Sequence, residues 1–237
     1  MKAIFDNVSN ICSEITTKAY STSFSLGIRI LDKSLHNPIY GIYGFVRFAD
    51  EIVDSFHDYN KKELFNKYKA DTYLGINNKI SLNPIINSFQ EVVNKYSIDH
   101  TLIESFLNSM EMDLEDQNYD EKTYKKYILG SAEVVGLMCL TIFVNGDKNK
   151  YTKLKPYAMK LGSAFQKINF LRDVNDDYQT LGRTYFPEVN IDNFSKSDKL
   201  KIENEIENEF SEGLRGIKML PNTSKGGVYL AYMYYYN

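Results

Sequence analysis

The chain has 237 residues, 43% of them hydrophobic and 25% charged, a composition that supports a large buried core and excludes wholesale disorder. Its 28 basic and 31 acidic side chains leave a formal charge of −3, so no basic field exists to hold a nucleic-acid backbone, and nucleic acid is not expected as a partner. The two cysteines, Cys12 and Cys139, lie far apart and the second sits in an apolar run, which predicts reduced thiols and a cytoplasmic setting.

At the N-terminus, Asp6 and Glu14 interrupt the apolar stretch that a secretory signal needs, so none is expected. Only five prolines and 13 glycines punctuate the chain, and the segments between them follow helical spacing, which predicts a single all-α domain over residues 1–237. Pro38 precedes a helix expected over 39–57, followed by a polar stretch at 58–62. Further helices are expected over 83–96 and, with Asp99 as its N-cap, over 99–116. The next, 122–144, is unusually apolar past Gly130 and should lie centrally. Its longest apolar run, 134–144, is about half the ~20 residues of a membrane span, so the chain is expected to be soluble or peripheral. A helix over 151–180 should stop at Gly182, and the charged stretch 197–220 reads as a surface helix ended by Pro221. The aromatic tail from Gly226 opens one more helix, which is expected to be truncated.

Chemistry concentrates in two acidic motifs. In the first, Arg47, Asp50 and Asp54 fall on one helical stripe, four or three residues apart. A lone pair of this kind is usually a solvated helix face. Here the flanking Tyr43, Phe45, Val46, Phe48, Ile52 and Val53 turn the carboxylates toward an interior cleft, where they need a cation or shared protons. In the second, Asn169, Asp173 and Asp177 recur at intervals of four, bordered by Gln166 and Arg172. Two such helices facing across a bundle suit Mg²⁺, which accepts a few carboxylates and completes its shell with phosphate oxygens. A diphosphate is the implied ligand, with Arg47, Arg172 and Arg183 as candidates to neutralise it on departure. Small residues at Gly130, Ala132 and Gly136 leave space along the central helix, for close packing or for a hydrocarbon.

Four blocks in order resemble the squalene/phytoene synthase family of head-to-head prenyl transferases: Ser21 to Phe24, Tyr43 to Asp54, Tyr127 to Gly136, and Gln166 to Pro187. The resemblance implies an isoprenoid-synthase-type helical bundle with a central channel and both aspartate motifs at its mouth. By matching position, Asp50, Asp54, Asp173 and Asp177 would bind Mg²⁺, with Arg47 and Tyr43 beside them. Ser21, Ser23, Gln166, Asn169, Arg172, Arg183 and Tyr185 would contact substrate near its diphosphates. Phe24, Tyr127, Ala132, Val135 and Gly136 would line the prenyl channel, and Asp113 matches a supporting acidic position. Two departures are evident: Tyr20 stands where the family often has His, and the spacing from Asp177 to Gly182 is one residue longer than common.

The implied reaction joins two prenyl diphosphates through a cyclopropylcarbinyl diphosphate, with two geranylgeranyl diphosphates giving phytoene as the expectation. Squalene or dehydrosqualene synthesis from farnesyl diphosphate is the alternative, NADPH being needed only for squalene. A non-catalytic relative serving as an assembly or binding factor is a reading of another class, against which the four retained aspartates weigh. Greasy substrate and product imply peripheral membrane contact; the sequence leaves the oligomeric state open.

Overall fold

In the computed structural model the described residues are 1–115, 120–181 and 195–237, with backbone alone for 173–181; among them there is no strand. The all-α expectation therefore holds, and the differences lie in where helices begin and which face they bury.

Helix α1 (Lys2–Tyr20) escapes a reading by apolar periodicity because its pattern is inverted. Ser9, Ser13 and Thr17 form the fully buried face, while Ile4, Val8, Ile11 and Ile15 are exposed. Two hydroxyls are satisfied inside the helix, Ser9 Oγ donating to the Phe5 carbonyl at 2.9 Å and Thr17 Oγ1 to the Ser13 carbonyl at 2.8 Å. Their small size lets α1 lie against α3 so closely that a Cβ on Gly44 would sit 3.0 Å from Ser13 Oγ. Helix α2 (Thr22–Ile30) follows after one residue, Ser21.

Helix α3 (Lys33–Asp54) starts six residues before the expected 39 and carries Pro38 inside it. Asp32 fixes the start, its carboxylate accepting from the Ser34 amide at 2.9 Å. At the other end Lys61 Nζ donates to the Val53 carbonyl at 2.7 Å, which caps the helix three residues short of 57. Helix α4 (Lys61–Asn78) also went without a sequence signal, being polar over most of its length and N-capped by Asn60. Helices α5 (Pro84–Tyr96) and α6 (His100–Met112) begin at the caps Asn83 and Asp99 as expected, but α6 stops at Met112 rather than 116. Phe45 of α3 anchors this half of the core, stacked on Phe89 with ring centres 3.8 Å apart and tilted against Phe106 at 5.4 Å.

The central helix comprises α7 (Glu121–Ile128), a π turn at Leu129–Glu133 and α8 (Val134–Phe143). Glu121–Phe143 is, among the described residues, the one stretch long and apolar enough to cross a membrane by length and composition. Val134, Leu137, Met138, Leu140 and Ile142 are nonetheless buried within the chain, the setting of a core helix. Its placement between α3, α6 and α9 accounts for its apolarity all round.

Helix α9 (Lys148–Leu181) packs along α10 (Lys196–Met219). The latter is more than a surface helix, since Ile202, Ile206, Phe210 and Ile217 are buried. Between the two lies an ion pair shielded from solvent, Lys167 to Glu209 at 3.0 Å, with Ser163 Oγ donating to Glu209 at 2.8 Å. Helix α11 (Asn222–Tyr236) closes against α2, where a Cβ on Gly227 would fall 2.5 Å from the Gly27 carbonyl oxygen.

Candidate active site

Ser21 sets the entrance. Its extended backbone ends α1, its amide donating to the Thr17 carbonyl at 2.9 Å, and its Oγ accepts from the Phe24 amide at 3.2 Å to start α2. That corner turns Tyr20, Ser21, Ser23 and Phe24 into the wall of a cavity of about 770 Å³ running between α2, α3, α8, α9, α10 and α11.

Along α3, Tyr43, Arg47, Asp50 and Asp54 follow one another at 4-3-4 spacing and all reach this cavity, while Phe45, Ala49, Ile52 and Val53 face the core. Asp54 is at the exposed rim and Asp50 is half-buried. Asp113, at the end of α6, is buried in the same wall and accepts a hydrogen bond from Tyr127 Oη at 2.8 Å. Burial pushes the Asp50 carboxyl up to about 7, and the charges of Asp54 and Asp113 add to the shift against the opposing pull of Arg47. Asp50 and Asp54, four apart on one stripe of α3, offer hard oxygen donors of the kind a divalent cation takes, and the charge of such a cation would return Asp50 to its ionised form.

Arg47 itself is held on two sides: it pairs with Glu51, and its guanidinium carbon lies 4.4 Å from the centre of the Tyr20 ring. Its Nε, Asn169 Oδ1 and Ser131 Oγ are buried polar atoms without a hydrogen-bond partner among the described residues, and all three residues line the cavity. Three such atoms on the wall that also carries the carboxylates mark a place for a polar ligand group.

Much of the remaining wall is aromatic. Phe24 meets Tyr43 at 5.5 Å, Phe165 at 6.2 Å and Tyr235 at 5.8 Å, and Phe165 stacks on Tyr235 at 4.5 Å. From the central helix come Tyr127, Ala132, Val135 and Gly136, and from α9 Gln166, Asn169 and Arg172. The small residues divide between the two roles left open by the sequence. Gly130 serves packing, since a Cβ there would lie 2.6 Å from the Ser105 carbonyl oxygen on α6, whereas Ala132 and Gly136 border the cavity.

Every sequence-predicted site residue with a described side chain thus lies on one cavity. Asp173 and Asp177 are carried by α9, but their side chains, and Arg183 and Tyr185 entirely, lie outside the described residues. Sequence reasoning missed Ser131, Phe165 and Tyr235 as wall residues, together with Gly213, Gly216 and Ile217 of α10. The small residues Gly213 and Gly216, three apart on one face of a helix read as charged and external, were the available signal for α10.

A helical bundle thus encloses a cavity whose wall combines carboxylates and an arginine with aromatic and aliphatic side chains. Residues 17–235 match squalene/phytoene synthase, and the chain belongs to that family. It is 26% identical over 194 residues to 4,4'-diapophytoene synthase of Staphylococcus haemolyticus, covering 81% of this chain and 66% of the relative. It is 25% identical over 260 residues to chloroplastic phytoene synthase 1 of Zea mays, covering 99% and 60%. The chain thus spans about two thirds or less of the length of these relatives. Two solved structures share the fold: a dehydrosqualene synthase with bound ligand (TM-score 0.85, 22% identity, 97% of this chain and 84% of that one) and squalene synthase HpnC from Alicyclobacillus acidocaldarius (0.84, 17%, 98% and 92%).

Proposed function

We propose that this protein joins two prenyl diphosphates head to head through a cyclopropylcarbinyl diphosphate, with phytoene from two geranylgeranyl diphosphates as the product. The observation that carries this reading is the lining of one cavity, which combines Asp50, Asp54 and Arg47 of α3 with an apolar aromatic wall.

In this reading the allylic C–O bond of one substrate breaks and diphosphate leaves with the electron pair. The double bond of the second substrate attacks the resulting cation, and loss of a proton closes the cyclopropane. A second ionisation, rearrangement and proton loss complete the hydrocarbon. Asp50 and Asp54, with Asp173 and Asp177 of α9, would hold Mg²⁺, which would supply charge neutralisation for the leaving diphosphate. Arg47, with its buried Nε still to be satisfied, and Arg172 on the cavity wall hold diphosphate oxygens. Ser21, Ser23, Gln166 and Asn169, with Arg183 and Tyr185, orient the heads. The rings of Phe24, Tyr43 and Tyr127 offer π faces to the cations, and the apolar walls keep out water that would quench them. Peripheral contact with a membrane fits substrate and product of this greasiness.

A second substrate reading, two farnesyl diphosphates to a thirty-carbon product, is favoured by the diapophytoene synthase among the relatives. The test is product analysis by extraction and mass spectrometry after incubation with Mg²⁺ and each diphosphate, with and without NADPH. Phytoene from the twenty-carbon substrate is the expected result, and a thirty-carbon hydrocarbon selects the second reading. Absence of product from both substrates, with diphosphate still bound, turns the assignment to a non-catalytic binding role.

A further inference from the structure

We infer that Tyr20 is a positioning residue for Arg47, holding the guanidinium by its face so that its Nε edge stays free for a diphosphate oxygen. The inference rests on the proposed diphosphate site and adds a residue to it. Three observations converge on Arg47. Glu51, one turn on along α3, takes Nη2. The Tyr20 ring covers the guanidinium at 4.4 Å from its centre. Nε is buried with no partner among the described residues, in a side chain that lines the cavity.

An arginine held only by Glu51 would keep the freedom to swing toward Asp50, whose charge already acts on it from the same helix stripe. A second carboxylate could restrain it, but would add negative charge where Asp50, Asp54 and Glu51 already crowd. An aromatic face restrains the cation without consuming an N–H and without adding charge. Tyr20 is delivered to this place because α1 ends there and Ser21 turns the chain into α2. Its ring is half exposed, at 49%, so the contact costs the core little and substitution leaves the fold intact.

The experiment is a double-mutant cycle on the full chain, read by calorimetric titration of inorganic diphosphate in the presence of Mg²⁺, with thermal melting as the check on folding. Tyr20→Leu is expected to weaken binding by about two- to fivefold, the range of a cation–π contact. Tyr20→Phe keeps the ring and retains most of the affinity. In an Arg47→Met background the Tyr20→Leu change has no further effect, because the group it positions is gone. Equal losses in both backgrounds, or no loss in either, overturn the inference while leaving the diphosphate site standing. No binding of diphosphate by the unaltered protein overturns the site and the inference together.

Discussion

Asp50 carries a strong electrostatic signature, a carboxyl pushed up to about 7 from an ordinary 3.8. Its sign for stability is fixed: between these values the folded protein holds a proton that the unfolded chain has lost. The metal-free protein should therefore lose stability as pH rises from about 4 to about 7, and Asp50→Asn should raise the melting temperature at pH 8. A drop in melting temperature at pH 8 in that variant would show that Asp50 stabilises rather than strains the metal-free fold. Mg²⁺ competes with that proton, so its affinity should climb from pH 6 to pH 8, measured by titration calorimetry at fixed ionic strength, and a flat profile would remove Asp50 from the metal site. The same Asn variant should lose on the order of 10²-fold or more in product formation, as expected when charge stabilisation of a leaving group is removed. These residues were legible in the sequence because three- and four-residue spacing on a helix is a direct geometric code. Tyr235 and Phe165 were not, since an aromatic residue in an aromatic-rich segment looks the same whether it faces a cavity or a core.

Helices were legible where their apolar face is their buried face, and α5 and the central helix were found within a residue or two at each end. Helix α1 was not, because Ser9, Ser13 and Thr17 bury while Ile4, Val8, Ile11 and Ile15 remain outside. The π turn at Leu129–Glu133 was invisible too; it contains Gly130, where the central helix approaches α6 so closely that a Cβ would lie 2.6 Å from the Ser105 carbonyl oxygen. Gly130→Ala should accordingly cost about 1–3 kcal/mol of unfolding free energy in urea titration, the usual cost of overpacking, and a neutral result would mean that the two helices can separate freely. Between α9 and α10, removing one partner of the solvent-shielded Lys167–Glu209 pair leaves a buried charge. Lys167→Met should therefore destabilise by about 3 kcal/mol in the same titration. Loss of less than about 1 kcal/mol would show that Lys160, 3.1 Å from Glu209, takes over the compensation.

The molecule as a whole brings two distant sequence segments onto the wall of one cavity. Helix α3 brings Asp50 and Asp54, α9 brings Gln166, Asn169 and Arg172 to the same space, and the central helix with α2, α10 and α11 encloses the remainder. Binding at such a junction ties several helices together, so Mg²⁺ with diphosphate should raise the melting temperature in a concentration-dependent manner. The most direct measurement is a crystal structure of the protein grown with Mn²⁺ in place of Mg²⁺ and an unreactive thio-analogue of a prenyl diphosphate. The account predicts anomalous density about 2 Å from oxygens of Asp50 or Asp54, with diphosphate between α3 and α9 and the hydrocarbon along Val135 and Gly136. Metal bound elsewhere, or an analogue whose hydrocarbon lies outside the cavity, would contradict it.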